Sequence, residues 1–257
     1  MSHPVYPPEL IIALSRNRVS VQVMVEPSAD RPAWKNSYQV QGLFSESQLC
    51  AALDAALDQH PALFDKFREV AVLLLDRPNV TIPQFYADQG QWDEIARKYI
   101  SVKAGDALVA ETAAGEVSIA YSLPTNTRKA LEEYYAGAGY VHVTTVVWNA
   151  ISQHLESFAG NTTRLFFCII ENSLLILSAT GPKLTFSNLF YVQDQDDVTY
   201  YVIACSRMIR AQENWWLTIR NEYAGYDRLG HTYFNLDHHL ELPDLQTLIA
   251  RYRSCVS

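Results

Sequence analysis

The feature that most constrains this chain is a pattern that occurs twice. Residues 10 to 25 read LIIALSRNRVSVQVMV, and residues 166 to 181 read FFCIIENSLLILSATG. Each is an apolar run, a short polar turn and a second apolar run. The turns fall at Ser15, Arg16 and Asn17 and at Glu171, Asn172 and Ser173. Past the first turn, Val19, Val21, Val23 and Val25 alternate with Ser20, Gln22 and Met24, the period of a strand with one buried face. Both units read as β-hairpins.

The segments after the two hairpins are also similar. After the first comes a strand at 37–43 (SYQVQGL), then a helix opening at Ser45, with Gln48 three residues on as a capping box. Leu49, Leu53 and Leu57 give that helix an apolar face, and Pro61 bounds it. EVAVLLL (69–75) is continuously apolar, as a strand buried on both faces would be. Helices are expected near 91–100 and 126–136. A strand over 140–147 (YVHVTTVV) leads into a helix over 148–158. The second half restarts at Arg164 with strands at Leu165–Ile170, Leu174–Ser178 and Phe186–Val192. Asp194 or Asp196 caps a helix in which Val198, Tyr201, Val202 and Cys205 share a face. Strands at Trp215–Arg220 and Tyr233–Leu236 and a helix at Pro243–Arg253 complete it. The pattern reads as a duplication with its seam at Ala159–Thr163, giving domains 1–160 and 161–257.

Composition sets several function classes aside. A chain of 257 residues, 49% hydrophobic and 19% charged, is globular and long enough for two domains. Its net charge of -8 argues against nucleic acid, which demands clustered Lys and Arg. VAVLLL (70–75) is far too short to span a bilayer, so membrane insertion is not expected. MSHPVYPPEL lacks a basic stretch followed by an apolar one, so no signal peptide is expected. Cys50, Cys168, Cys205 and Cys255 are far apart, and the first three sit in apolar patterns, which suits a reduced, cytoplasmic chain.

The paired hairpins, the segment VHVTTVVWNAISQHL and the overall length resemble the DUF3822 proteins, a bacterial family with an actin-like fold and no assigned activity. The resemblance covers nearly the whole chain. It implies an α/β protein of tandem ribonuclease H-like domains, the architecture of actin, sugar kinases and the heat-shock 70 chaperones. It also makes the two hairpin turns the candidate cofactor-binding positions: Ser15, Arg16 and Asn17, with Glu171, Asn172 and Ser173.

In working members of that architecture each turn carries an Asp for the metal, then Gly and Thr or Ser. The Gly lets backbone N–H groups approach phosphate oxygens. Leu14-Ser15-Arg16-Asn17 has neither Asp nor Gly, and Ile170-Glu171-Asn172-Ser173 has an acid but no Gly. Residues 221–241 offer Gly225 and Gly230 singly, not the glycine pair that would lie beneath an adenine. Arg16 as an anion contact competes with the commoner reading, an exposed turn arginine. Glu171 could hold a metal. Nuclease chemistry would need several carboxylates on two metals, and the first strand ends in Ser15. The expectation is a non-catalytic binding or assembly protein with a degenerate phosphate site, no cofactor, and an unknown protein partner or self-association. The rival is a divergent nucleotide-dependent kinase or ATPase using an interdomain cleft.

Other constellations have plainer readings. Asp237, His238 and His239, with His231, are the best metal-like set, but neighbours on a strand point to opposite faces. Gly137-Ala138-Gly139 suits the end of a helix. In NWWLTI, alternation places one of Trp215 and Trp216 inside and the other outside, where it would mark a protein contact.

Overall fold

The computed structural model describes residues 9–16, 18–24, 34–39, 46–60, 67, 69–114, 117–155, 161–220, 238–245 and 247–249. By contacts these divide into two compact units. One comprises the stretches up to Asp76, Lys103–Ala107 and Leu123–Val143. The other comprises Arg77–Val102, Leu108–Ser122 and the chain from Thr144 onward.

The first unit is built on a five-stranded sheet. Strands β1 (Glu9–Leu14) and β2 (Arg18–Met24) form the expected hairpin, and β3 (Trp34–Gln39) adds an antiparallel edge. This third strand lies earlier than the expected 37–43. Helix α1 (Glu46–Gln59) then crosses to β4 (Glu69–Leu74), which pairs parallel to β1, and β8 (Gly139–His142) pairs parallel to β4. The order is β3-β2-β1-β4-β8. Register places Leu10, Ile12 and Leu14 on one face with Val21 and Val19, all buried. Leu49, Leu53 and Leu57 of α1 are buried as their spacing required. Tyr38 of β3 donates to Gln59 at the end of α1 at 3.2 Å, and Tyr134 of α4 (Thr125–Tyr134) donates to Asp54 of α1 at 2.7 Å. Gly137, at φ 82° with open space where a Cβ would stand, supplies the left-handed backbone just after α4.

The second unit repeats that sheet. Strands β9 (Thr163–Ile170), β10 (Ser173–Thr180) and β11 (Lys183–Tyr191) are antiparallel neighbours, while β12 (Glu213–Ile219) and β13 (His238–Leu242) continue in parallel. The order β11-β10-β9-β12-β13 is that of the first sheet with each strand replaced by its counterpart. Helix α6 (Gln195–Ile209) follows the third strand, as α1 follows β3. Asp194 is its N-cap, accepting from the amides of Asp196 and Asp197 at 2.9 and 3.0 Å. Val198, Val202 and Cys205 pack with Leu165, Phe167, Leu174, Ile176 and Trp216. The strand expected at Tyr233–Leu236 falls outside the described residues. Asp244 opens a helical turn near the expected Pro243–Arg253 helix, accepting from the Thr247 amide at 2.9 Å.

Four strands were not expected: β13, which lies at 238–242 where a surface turn was the plainer reading, and three more. β5 (Asn79–Pro83), β6 (Ala107–Ala113) and β7 (Val117–Leu123) form a small sheet, ordered β5-β7-β6, between the fourth and fifth strands of the first repeat. Helix α3 (Trp92–Tyr99) packs Ala96 against Ile82 and Ala120 of this sheet, and the short α2 (Gln84–Asp88) precedes it. A buried polar chain ties β5 to β11. Asn79 donates to Thr144 at 3.1 Å and accepts from Ser187 at 2.7 Å, and Thr81 lies 2.6 Å from the same serine hydroxyl.

Helix α5 (Val143–Leu155) begins five residues before the expected 148. Val143, Thr144, Thr145, Val146 and Val147 are all buried, a β-branched run that reads as a strand yet is helical. Trp148 Nε1 donates to the Ala114 carbonyl at 2.7 Å and Asn149 accepts from the Ala114 amide at 2.7 Å, fixing the helix against the end of β6.

Candidate functional site

Ser15 and Arg16 lie in the first unit, and Glu171, Asn172 and Ser173 in the second. Asn17 falls outside the described residues. In the first turn Ser15 is buried, and its amide donates to the Arg18 carbonyl at 2.9 Å, closing the hairpin. The parallel ladder between β1 and β4 runs one step beyond the strands, from the Leu75 amide to the Leu14 carbonyl at 3.0 Å. That step carries Asp76 to the turn. The Arg16 amide donates to Asp76 Oδ2, and the Arg16 Nε lies 3.9 Å from the same oxygen. The Asp76 side chain is 10% exposed and that of Arg16 47%. The Arg16 amide is thus bonded to the protein's own carboxylate.

The magnitude matters. A further anion about 4 Å from Asp76 would meet a repulsion of about 1 kcal/mol per unit charge in water, and about 4 kcal/mol at the effective dielectric of a protein surface. Sequence reasoning missed Asp76. The signal was LLLDRP (73–78): the first acid after a strand that lies parallel to the hairpin's opening strand.

The second turn is a two-residue link, Glu171-Asn172, between the paired residues Ile170 and Ser173. Glu171 adopts φ 53°, the left-handed region that a glycine occupies without strain. The Asn172 carbonyl accepts from the Val192 amide at 2.8 Å, which ties the turn to the residue after β11, and Ser173 is buried. Glu171 thus holds a left-handed conformation that glycine adopts more freely.

The remaining candidates resolve separately. His238 and His239 point to opposite sides of β13, as alternation required. His238 stacks on Trp215 with centroids 4.2 Å apart, and His239 Nε2 lies 3.0 Å from the Thr218 hydroxyl. His231, Asp237, Gly225 and Gly230 are outside the described residues. Among the described residues no group of three His, Cys, Asp or Glu could hold a metal ion, and no disulfide joins Cys50, Cys168 and Cys205. Among them, too, no helix is long and apolar enough to cross a membrane.

The expectation that one of Trp215 and Trp216 faces solvent is wrong. Trp216 packs beneath α6. Trp215 is 9% exposed on the other face, set against Phe166 and His238, with its indole N–H donating to Glu213 at 3.2 Å. Alternation does send the two indoles to opposite faces, but both faces of this sheet are covered. Arg164 also donates to Glu213, at 2.7 Å. Burial pushes the Glu213 carboxyl up, but hydrogen bonds from Arg164 and Trp215 and the Arg164 charge outweigh it and hold it below its ordinary range.

Residues 6–212 match the model of a family described as "Protein of unknown function (DUF3822)". Among curated proteins, none matches the chain. Among solved structures, the chain is similar to a protein of Bacteroides thetaiotaomicron VPI-5482 described as having an actin-like ATPase fold and unknown function. The two are 14% identical, with a TM-score of 0.73 over 96% of each chain. It is also similar to a chain of the PilM–PilN type IV pilus biogenesis complex, at 12% identity and a TM-score of 0.59, over 97% of this chain and 98% of that one. At these identities the likeness shows the fold, an actin-like ATPase fold.

Proposed function

The chain belongs to the DUF3822 family, and from that premise we propose that it is a non-catalytic binding or assembly protein, working in the cytoplasm, whose actin-like fold has lost its phosphate site. The observation that carries this reading is the hydrogen bond from the Arg16 amide to Asp76. The first turn is occupied by an internal carboxylate, and the second holds Glu171 at a left-handed position where glycine would admit a phosphate. The likeness to a chain from a complex of two proteins supports a protein as the partner class.

A second reading rests on the same carboxylate. A divalent cation on Asp76 would invert the local repulsion and draw a phosphate in, which is the divergent kinase or ATPase. Hydrolysis separates the two. ATP with magnesium is expected to give phosphate release no faster than buffer. Steady turnover that disappears in Glu171→Gln or Asp76→Asn would establish the second reading and sink the first.

A further inference from the structure

Helix α6 leaves a face uncovered. Val198, Val202 and Cys205 are buried against β9 and β10, whereas Tyr200 is 67% and Ile203 39% exposed. Counting about 100° per residue, Asp196, Tyr200, Ile203 and Arg207 fall within roughly 60° of one another on the opposite side of the helix. Met208, 65% exposed, flanks them. A large aromatic and a large aliphatic side chain thus lie side by side in the middle of an otherwise solvated helix face, and it is their arrangement with the flanking charges that carries meaning.

The order of the four residues says what covers it. Their spacing is four, three, four, which reads the same in both directions: an acid, an aromatic, an aliphatic and a base. Two copies of such a helix laid antiparallel about a two-fold axis bring Asp196 of each opposite Arg207 of the other, and Tyr200 of each opposite Ile203. A parallel arrangement would set like charges together. A two-fold contact must be self-complementary, and this face is so in both charge and shape. We propose that α6 is a homodimerisation helix, packing antiparallel on the α6 of a second copy of this chain through Asp196, Tyr200, Ile203 and Arg207. The inference stands on the helix face alone and does not depend on how the hairpin turns are read.

A contact of two helices lies at the small end of specific interfaces, so the dimer dissociates on dilution. The two acid–base pairs at its edges are exposed and weaken as salt screens them.

The test uses sedimentation equilibrium on the full chain across micromolar loading. The wild type is expected to move from monomer to dimer as concentration rises. Arg207→Glu and Asp196→Arg, each alone, set like charges in opposition and should weaken the dimer at least tenfold, with the melting temperature confirming that both remain folded. The double variant carrying both exchanges should recover the wild-type affinity. So should an equimolar mixture of the two single variants, which pairs each reversed charge with its opposite. A wild type that stays monomeric at every loading overturns the proposal. So do single variants that dimerise like the wild type, or a double variant and mixture that stay monomeric.

Discussion

At the residue scale, polar groups that have found internal partners set the chemistry of this chain. Trp215 shows how this differs from the sequence pattern. Alternation correctly separated the two indoles, but nothing in NWWLTI could reveal that Phe166 and His238 of the flanking strands would pack beside Trp215. Trp215→Ala and Trp216→Ala are both expected to lower stability by about 3–5 kcal/mol, read by chemical denaturation. A Trp215 variant as stable as the wild type would show that indole to be a surface group. The Glu213 carboxyl makes a pH prediction at the same place. Its folded pKa lies below its unfolded one, so its contribution is complete above the ordinary glutamate value of about 4.3 and is lost as pH falls through the lower folded value. Stability measured below about pH 4.5 should therefore fall less in Glu213→Gln than in the wild type. Equal acid slopes would contradict the pairing with Arg164.

At the element scale, the hairpins, α1 and α6 were legible because each carries its own period: two for the valines of β2, and four for Leu49, Leu53 and Leu57; both third strands begin about three residues earlier than expected. Most of the misread segments lack one. Val143–Val147 is a β-branched run buried throughout, and such a run looks alike in a helix and in a strand. Strand β5 is five residues long and ends in proline, and most of β6 is only half-buried, so neither shows clean alternation or a full apolar run, whereas β7 alternates Val117, Ile119, Tyr121 and Leu123 with Ser118, Ala120 and Ser122 and carried a strand signal that the sequence reading passed over. Its anchorage to β11 is also invisible locally, since Asn79 and Ser187 are joined only by the fold. Removing both Asn79 hydrogen bonds by Asn79→Ala is expected to destabilise the chain by about 1–3 kcal/mol. A loss below about 0.5 kcal/mol, measured by urea titration, would show the polar chain to be incidental.

At the scale of the whole molecule, the repeat of strand order in two sheets is what gives an actin-like fold, and the sequence displayed it through two hairpins and their matching sequels. The candidate site was legible as a lack, of Asp and Gly at Ser15–Asn17 and of Gly at Glu171–Ser173. What fills that lack was not, because Asp76 reaches Arg16 across 60 residues through the β1–β4 ladder. The domain limits 1–160 and 161–257 remain our proposal from the repeat, beside contact units that group Arg77–Val102 and Leu108–Ser122 with the second sheet.

Whether Asp76 closes the first hairpin turn to phosphate can be read from the melting temperature of the full chain with ATP, with and without magnesium. A ligand at about a hundred times its dissociation constant adds about 2.7 kcal/mol, which moves the midpoint of a chain of this length by roughly 5–10 °C. A closed turn gives no shift with ATP, with or without magnesium. A saturable rise with magnesium–ATP that is abolished in Asp76→Asn would contradict closure and make Asp76 a ligand of the metal.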